Sequence, residues 1–270
     1  MRRVVFRMMA SVRAVYRRLR GLGTSILDRR DRWRMAWLDR SVTTRGVNPV
    51  VRMAAPTRRL RSGMQRYADA EPETRTWIDA MVVNQDSVLW DVGANVGVFS
   101  IYAAMRGLSV VAAEPAPQNL MLLTRNITLN HAVERVTVLP IALSLASGSA
   151  RMKLSDLRFG SAGHGFGTAD MFRGKAPRTP HSEFALAGIS IDDAVAHLNL
   201  PSPTYLKIDV DGIELAILRG AQIALRGVVG ACVELKHQPR VVEQIISTLA
   251  AAGLQLHHRS KRNGFFSRGG

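Results

Sequence analysis

Residues 87–100 read SVLWDVGANVGVFS. An apolar run of strand length ends on an acid, Asp91. It passes through Gly93, Asn95 and Gly97 and turns apolar again. That order predicts a buried strand, a tight turn and a helix, the unit from which parallel α/β sheets are assembled.

Working outward, the alternation continues. SVVAAEP (109–115) reads as a second strand and APQNLMLLTRNITLNH (116–131) as a helix. RVTVLPIAL (135–143) is a third strand, with a short one at SARMKL (149–154). A long glycine-rich loop over 158–177 follows, then a helix at SIDDAVAHL (190–198) opened by Ser190 as N-cap. TYLKIDV (204–210), a helix from 213, VVGACVEL (228–235) and a helix beginning at Pro239 complete the pattern. LQLHHR (254–259) is a sixth strand, and GFFS (264–267) is placed to pair with it. The expected fold is α/β: a doubly wound, mostly parallel, Rossmann-like sheet over 76–270.

Residues 1–75 read as a basic, partly helical N-terminal appendage. They hold 19 Arg, no Lys and 6 acids, whereas 76–258 are close to neutral. Residues 1–20 form an amphipathic pattern with a purely cationic polar face, suited to packing on the domain or to peripheral contact with a membrane surface. Trp33 and Trp37 share a helical face and read as packing residues. The near-neutral body argues against a nucleic acid lying along it. No apolar run is long enough for a transmembrane helix, and a single cysteine, Cys232, excludes an internal disulfide. These features are those expected of a cytoplasmic protein, with residues 1–20 suited to the inner face of a membrane.

In doubly wound sheets, ligands bind beyond the carboxyl ends of the strands. Those ends carry Asp91, Gly93, Asn95 and Gly97; Glu114; Lys207, Asp209 and Asp211; and Glu234, followed by Lys236 and His237. Glu114 stands where an acid meets ribose hydroxyls in nucleotide folds, and a carboxylate suits a vicinal diol. The dinucleotide pattern G-x-G-x-x-G is absent, and an acid entering the turn repels a diphosphate while suiting a cation. A cationic ligand with a ribose points to S-adenosyl-L-methionine.

The blocks LWDVGANVGVFSIYAA (89–104), VVAAEPAPQNLMLLTRNITLN (110–130), SIDDAV (190–195) and YLKIDVDGIELAILRGA (205–221) resemble the FkbM family of S-adenosylmethionine-dependent methyltransferases. The resemblance covers roughly residues 80–240. It implies the class I methyltransferase fold with a seven-stranded sheet, and methyl transfer, commonly to a hydroxyl oxygen. Carried over by position, it implies that Asp91, Gly93, Asn95 and Gly97 form the cofactor turn and that Glu114 holds the ribose. Asn119 then supports the adenosine side or caps its helix. Asp211 stands where the family usually has Glu.

Methyl transfer from a sulfonium needs alignment and exclusion of water, and an alcohol acceptor gains from a general base. Asp209 is the first candidate. Lys207 lies on the same sheet face and is expected to pair with it. His237 and His164 are rival bases. Glu214 favours its helix dipole, and Glu234 is either part of the site or a solvated strand end. No spacing demands a metal. The glycine-rich stretch 160–167 is expected to order over the acceptor as a lid. The leading expectation is O-methylation of a saccharide, glycolipid or other small metabolite. The alternatives are an RNA methyltransferase gripping RNA through its Arg-rich tail, and an inactive module that keeps the fold as an interaction surface.

Overall fold

The computed structural model describes residues 40–44, 48–65, 71–84, 86–167, 179–236 and 238–269. Residues 1–20, Trp33, Trp37 and His237 lie outside them.

The first strands are β1 (Ser41–Thr43) and β2 (Arg52–Ala54), an antiparallel pair, followed by helices α1 (Arg58–Gln65) and α2 (Pro72–Asp79). The α/β part then runs β3 (Val88–Val92), α3 (Val98–Met105), β4 (Ser109–Ala113), α4 (Pro117–Leu129) and β5 (Val136–Leu139). After it come β6 (Ala142–Leu143), β7 (Gly148–Leu154), β8 (Gly165–Phe166), β9 (Ser182–Ile189) and α5 (Ile191–His197). The chain ends with β10 (Tyr205–Ile208), α6 (Glu214–Arg219), β11 (Gly230–Glu234), α7 (Pro239–Ala251), β12 (Leu254–Arg259) and β13 (Asn263–Arg268).

Seven strands form the main sheet in the order β12-β13-β11-β10-β3-β4-β5. β11, β10, β3, β4 and β5 run parallel, and β13 is antiparallel to both its neighbours. The chain leaves β3 toward β4 on one side and returns to β10 on the other, so the switch in strand order falls between β3 and β10, above their carboxyl ends.

The apolar sequence of β3 alternates between two cores. Val88, Trp90 and Val92 pack with Ile191, Ile217, Leu218, Val242 and Ile245 beneath α5, α6 and α7. Leu89 faces the other way, among Ile101, Tyr102, Leu122, Leu123 and Ile127 of α3 and α4. Both faces being covered explains why β3 reads as a continuous apolar run. Val51, Met53, Ala54, Ala55 and Leu60 join that second core, although they belong to the basic N-terminal stretch. Asn126 and Asn130 hold them there: Asn126 Oδ1 accepts from the Ala54 N–H at 2.6 Å and Asn130 Oδ1 from the Arg52 N–H at 2.8 Å. Ser190 caps α5 as the sequence predicts, its Oγ accepting from the Asp193 N–H at 3.0 Å.

A second, four-stranded sheet, β6-β9-β7-β8, does not follow from the sequence reading, which assigned no strand to 182–189 and only loop to 165–166. The signal was present in SEFALAGI, whose alternating residues are exposed and half-buried. This sheet packs through Met152, Leu154 and Phe166 against Ala116 and Ile213, in the connections that follow β4 and β10. Among the described residues no helix is long and apolar enough to cross a membrane.

Candidate active site

The turn after β3 is built from left-handed residues: Gly93 (φ 82°), Asn95 (φ 53°) and Gly97 (φ 87°). The two glycines answer to packing as well as to turning. A Cβ on Gly93 would lie 2.0 Å from the backbone oxygen of Asp209, and one on Gly97 would lie 2.4 Å from Leu123 Cδ1. What approaches Gly93 so closely is therefore the tip of β10. The turn and that tip are seated against each other.

Glu114, just past β4, is buried with its carboxylate fixed at both oxygens. Oε2 accepts from the Asn95 N–H and Oε1 from the Ala116 N–H, each at 2.8 Å. Burial pushes its pKa up to about 7, against the pull of those two N–H groups. An ionised carboxylate has about four acceptor sites; these two bonds and a side-chain hydrogen bond with Asn119 leave about one, and Glu114 lines the cleft above the sheet.

Asp91 has a different situation. It is 1 % exposed, and its oxygens are taken by Ser100 Oγ at 2.6 Å and Lys207 Nζ at 3.1 Å. It does not line the cleft. Lys207 thus forms its salt bridge with Asp91, its partner in the β3–β10 register, and not with Asp209 as the sequence suggested. The parallel register sets the two side chains side by side on one face. Burial works against the Lys207 charge, but Asp91 above all, and Asp209 after it, hold the ammonium above the usual lysine range. Phe99 covers it, its ring centroid 5.1 Å from Nζ. Cys232, beside Lys207 in the β10–β11 register, is a buried core residue as expected, and burial pushes its thiol up.

Asp209 lines the cleft at the β10 tip and shares a hydrogen bond with Glu234 at the end of β11. Glu234 is buried, not a solvated strand end. Burial raises the Asp209 pKa, Lys207 pulls it down, and Glu234 pushes it up again. Glu214 turns back on its own loop, accepting from the Gly212 N–H at 3.0 Å, so it ties down the β10–α6 connection.

The glycine-rich stretch packs over the cleft. Asn119 does not cap α4; its Oδ1 accepts from the Gly160 N–H at 2.8 Å and its Nδ2 donates to the Ser161 carbonyl at 3.0 Å. Asn95 Nδ2 donates to that same carbonyl at 3.1 Å, and Asp211, in left-handed backbone (φ 64°), accepts from the Gly163 N–H. His164 is half-buried in this roof, its Nδ1 accepting from the Ser155 N–H at 3.2 Å. Burial lowers its pKa, against the pull of Asp211 and Asp156.

The resulting cleft encloses about 160 Å³. It brings together Gly93, Asn95, Glu114, Asn119 and Asp209 from the sequence reading and leaves out Asp91, Gly97 and Lys207. It adds Arg262 from the β12–β13 turn, which sequence reasoning missed because the residue sits in a basic tail with no local motif around it. Among the described residues no group of three His, Cys, Asp or Glu is arranged to hold a metal ion.

Fold and site together define a Rossmann-like α/β protein of the methyltransferase type. The model of the Methyltransferase FkbM domain matches residues 91–256, more than half of the chain, and the chain belongs to that family. It is 29 % identical over 166 residues to the hexuronic acid methyltransferase AglP of Haloferax volcanii, covering 60 % of this chain and 62 % of that protein. It is also 29 % identical over 158 residues to the 31-O-demethyl-FK506 methyltransferase FkbM of Streptomyces tacrolimicus, covering 51 % of this chain and 60 % of the relative. The chain thus spans about three-fifths of the length of these relatives. A solved FkbM methyltransferase from Methylobacillus flagellatus aligns with a TM-score of 0.49 at 17 % identity, over 77 % of this chain and 53 % of that one.

Proposed function

We propose that this protein transfers a methyl group from S-adenosyl-L-methionine to a hydroxyl oxygen of a saccharide or other small metabolite. The observation that carries the reading is the cleft above the β3–β10 switch, with the Glu114 carboxylate held open toward it by two backbone N–H groups. Its acid-rich lining (Glu114, Asp209 and Asp211) fits a donor with a cationic sulfonium and opposes a diphosphate. The relatives support the acceptor class: one acts on a hexuronic acid, and another on the 31-O-demethyl form of FK506. Residues 76–270 form the transferase unit in this reading, with 1–75 as its appendage.

Bound donor supplies an electrophilic methyl carbon on the sulfonium. The protein's own part is to bind, orient and exclude water. Glu114 accepts from a ribose hydroxyl through its remaining lone pair, while Gly93 and Asn95 shape the floor. Asp209 takes the proton of the acceptor hydroxyl as the oxygen attacks. Its raised pKa suits that task better than an ordinary aspartate would. Glu234 positions Asp209 through their hydrogen bond, and the field of Lys207 favours its ionised form. The roof over 160–164 closes the cleft to water.

Calorimetry with S-adenosylmethionine, followed by transfer of labelled methyl to fractionated cell extract, tests the reading. Asp209→Asn is expected to keep donor binding and lose turnover. Binding of a nicotinamide dinucleotide in place of the methyl donor would overturn the proposal.

A further inference from the structure

The cleft is lined by three acids and, among the described residues, by a single permanently charged cation, Arg262. Its backbone is fixed in place: the Arg262 carbonyl accepts from the Leu235 N–H at 2.7 Å, next to the register pair Glu234–Asn263 that opens β13. Its side chain is 49 % exposed and, among the described residues, makes one hydrogen bond, from Nη2 to Glu234 Oε1 at a long 3.4 Å. A guanidinium carries five N–H donors in a planar fork that matches a carboxylate edge to edge. Among the described residues most of that fork is therefore without a hydrogen-bond partner, and Arg262 lines the cleft.

Arg262 feels the Asp209, Glu234 and Glu71 carboxylates, but neutralising them does not call for a guanidinium fork. Glu234 shares a hydrogen bond with Asp209, and a lysine would serve a single 3.4 Å contact as well. A half-exposed guanidinium at the rim of an otherwise acidic cleft is a receptor for a negative group on whatever enters. Glu114 lies past β4 and Arg262 precedes β13, with β3, β10 and β11 between them, so the two stand at opposite ends of the cleft.

Resting on the methyltransferase reading, we infer that Arg262 is the carboxylate-recognition residue of this cleft, gripping a ligand carboxylate through its unengaged guanidinium edge. The carboxylate has two sources, the amino-acid end of the methyl donor or an acidic acceptor such as a sugar acid, and one set of measurements separates them. Calorimetry on the full chain compares S-adenosylmethionine with its decarboxylated form. A second arm compares matched acid and neutral probes (glucuronate with glucose, galacturonate with galactose, lactate with propane-1,2-diol) with and without S-adenosylhomocysteine.

The expected result is a preference of about tenfold or more for the carboxylate-bearing member in one arm, lost in Arg262→Gln and partly kept in Arg262→Lys. Unchanged affinity for the decarboxylated donor shows that the variants retain their fold. Loss confined to the first arm assigns the donor carboxylate, and loss confined to the second assigns an acidic acceptor. No acid preference in either arm, or a preference that survives in Arg262→Gln, overturns the inference. Failure to bind any form of the donor would instead count against the methyltransferase reading, while the second arm, run without S-adenosylhomocysteine, still tests Arg262.

Discussion

Two carboxylates finish two neighbouring parallel strands, and the fold uses them in opposite ways. Asp91 is sealed under the turn, both oxygens occupied by Ser100 and Lys207. Glu114, one strand over, is equally buried, but chiefly backbone N–H groups, with the Asn119 side chain beside them, hold it and leave it open toward the cleft. Side-chain partners inside a sheet face consume a carboxylate's bonding capacity on behalf of the fold. Backbone partners at a turn orient it and leave acceptor sites for something else. Chemical type at a strand end therefore does not settle whether an acid serves structure or ligand; the partners do.

The sharpest way to break the contrast is through Asp91. Asp91→Ala leaves Lys207 charged, buried and unpaired, and is expected to cost about 3–5 kcal/mol in urea unfolding. The double variant Asp91→Leu/Lys207→Met removes both charges and is expected to recover most of that loss. If the double variant is as unstable as the single one, the pair is not the structural unit described. Gly93→Ala comes next. Its Cβ would meet the Asp209 carbonyl oxygen at 2.0 Å from a backbone of positive φ, for an expected loss of about 2–4 kcal/mol and weaker donor binding, since the turn must part from the β10 tip. An unshifted denaturation midpoint would show that the turn and β10 do not need to touch.

The sequence reading went furthest where period and position carry the information. The alternation of apolar runs with helical patterns specified the parallel sheet, because buried parallel strands have no polar face to confuse it. Glu114, Asp209, Gly93 and Asn95 were legible as strand-end and turn residues, because topology alone brings those ends together, whereas Asn119 was legible only through the family resemblance. Their partners were not. Pairing Lys207 with Asp91 requires knowing that β10 lies beside β3 in register, a contact across 116 positions. The second sheet was missed because β9 is half-exposed and follows a glycine-rich stretch that masks β8. Asn119 could not be read as the clasp of the 160–161 segment, since nothing in EPAPQN points 41 residues ahead.

Glu114 supplies the next test, with opposite signs for stability and binding. Its folded pKa of about 7 lies above the ordinary 4.5, so the folded chain holds that proton more tightly than the unfolded chain. The contribution to stability is therefore full below about pH 4.5 and is lost as pH rises through about 7. Donor affinity should run the other way, rising with pH through 7 as the carboxylate ionises toward a cationic ligand. His164, Asp209 and Asp211 also face the cleft, so the control is Glu114→Gln. That variant should flatten the pH dependence of both, weaken donor binding roughly 10–100-fold and cost about 1–3 kcal/mol of stability at pH 7, because its amide NH2 faces one of the two backbone N–H groups. An affinity that keeps its rise through pH 7 in the variant would assign the titration to another group.

The smallest effect expected belongs to the roof, and it tests whether backbone-held and side-chain-held parts of the site differ in dynamics as well. Asn119 is 1 % exposed and holds two backbone groups of the 160–161 segment, accepting from one and donating to the other. Asn119→Ala removes both bonds, together with the Asn119 side chain's hydrogen bond to Glu114. Ser161's carbonyl keeps its contact with Asn95 Nδ2, but the Gly160 N–H loses its partner. Each such bond is worth about 1 kcal/mol, and the segment keeps its anchor at Asp211, so global stability should fall by only about 1–2 kcal/mol. Local opening is the more sensitive measure. Amide exchange over 160–164 should quicken roughly tenfold while amides of β3 and β4 change no more than the global loss requires. Equal acceleration in the roof and in the sheet would mean that the roof does not open independently, and that entry to the cleft needs a motion of the sheet itself.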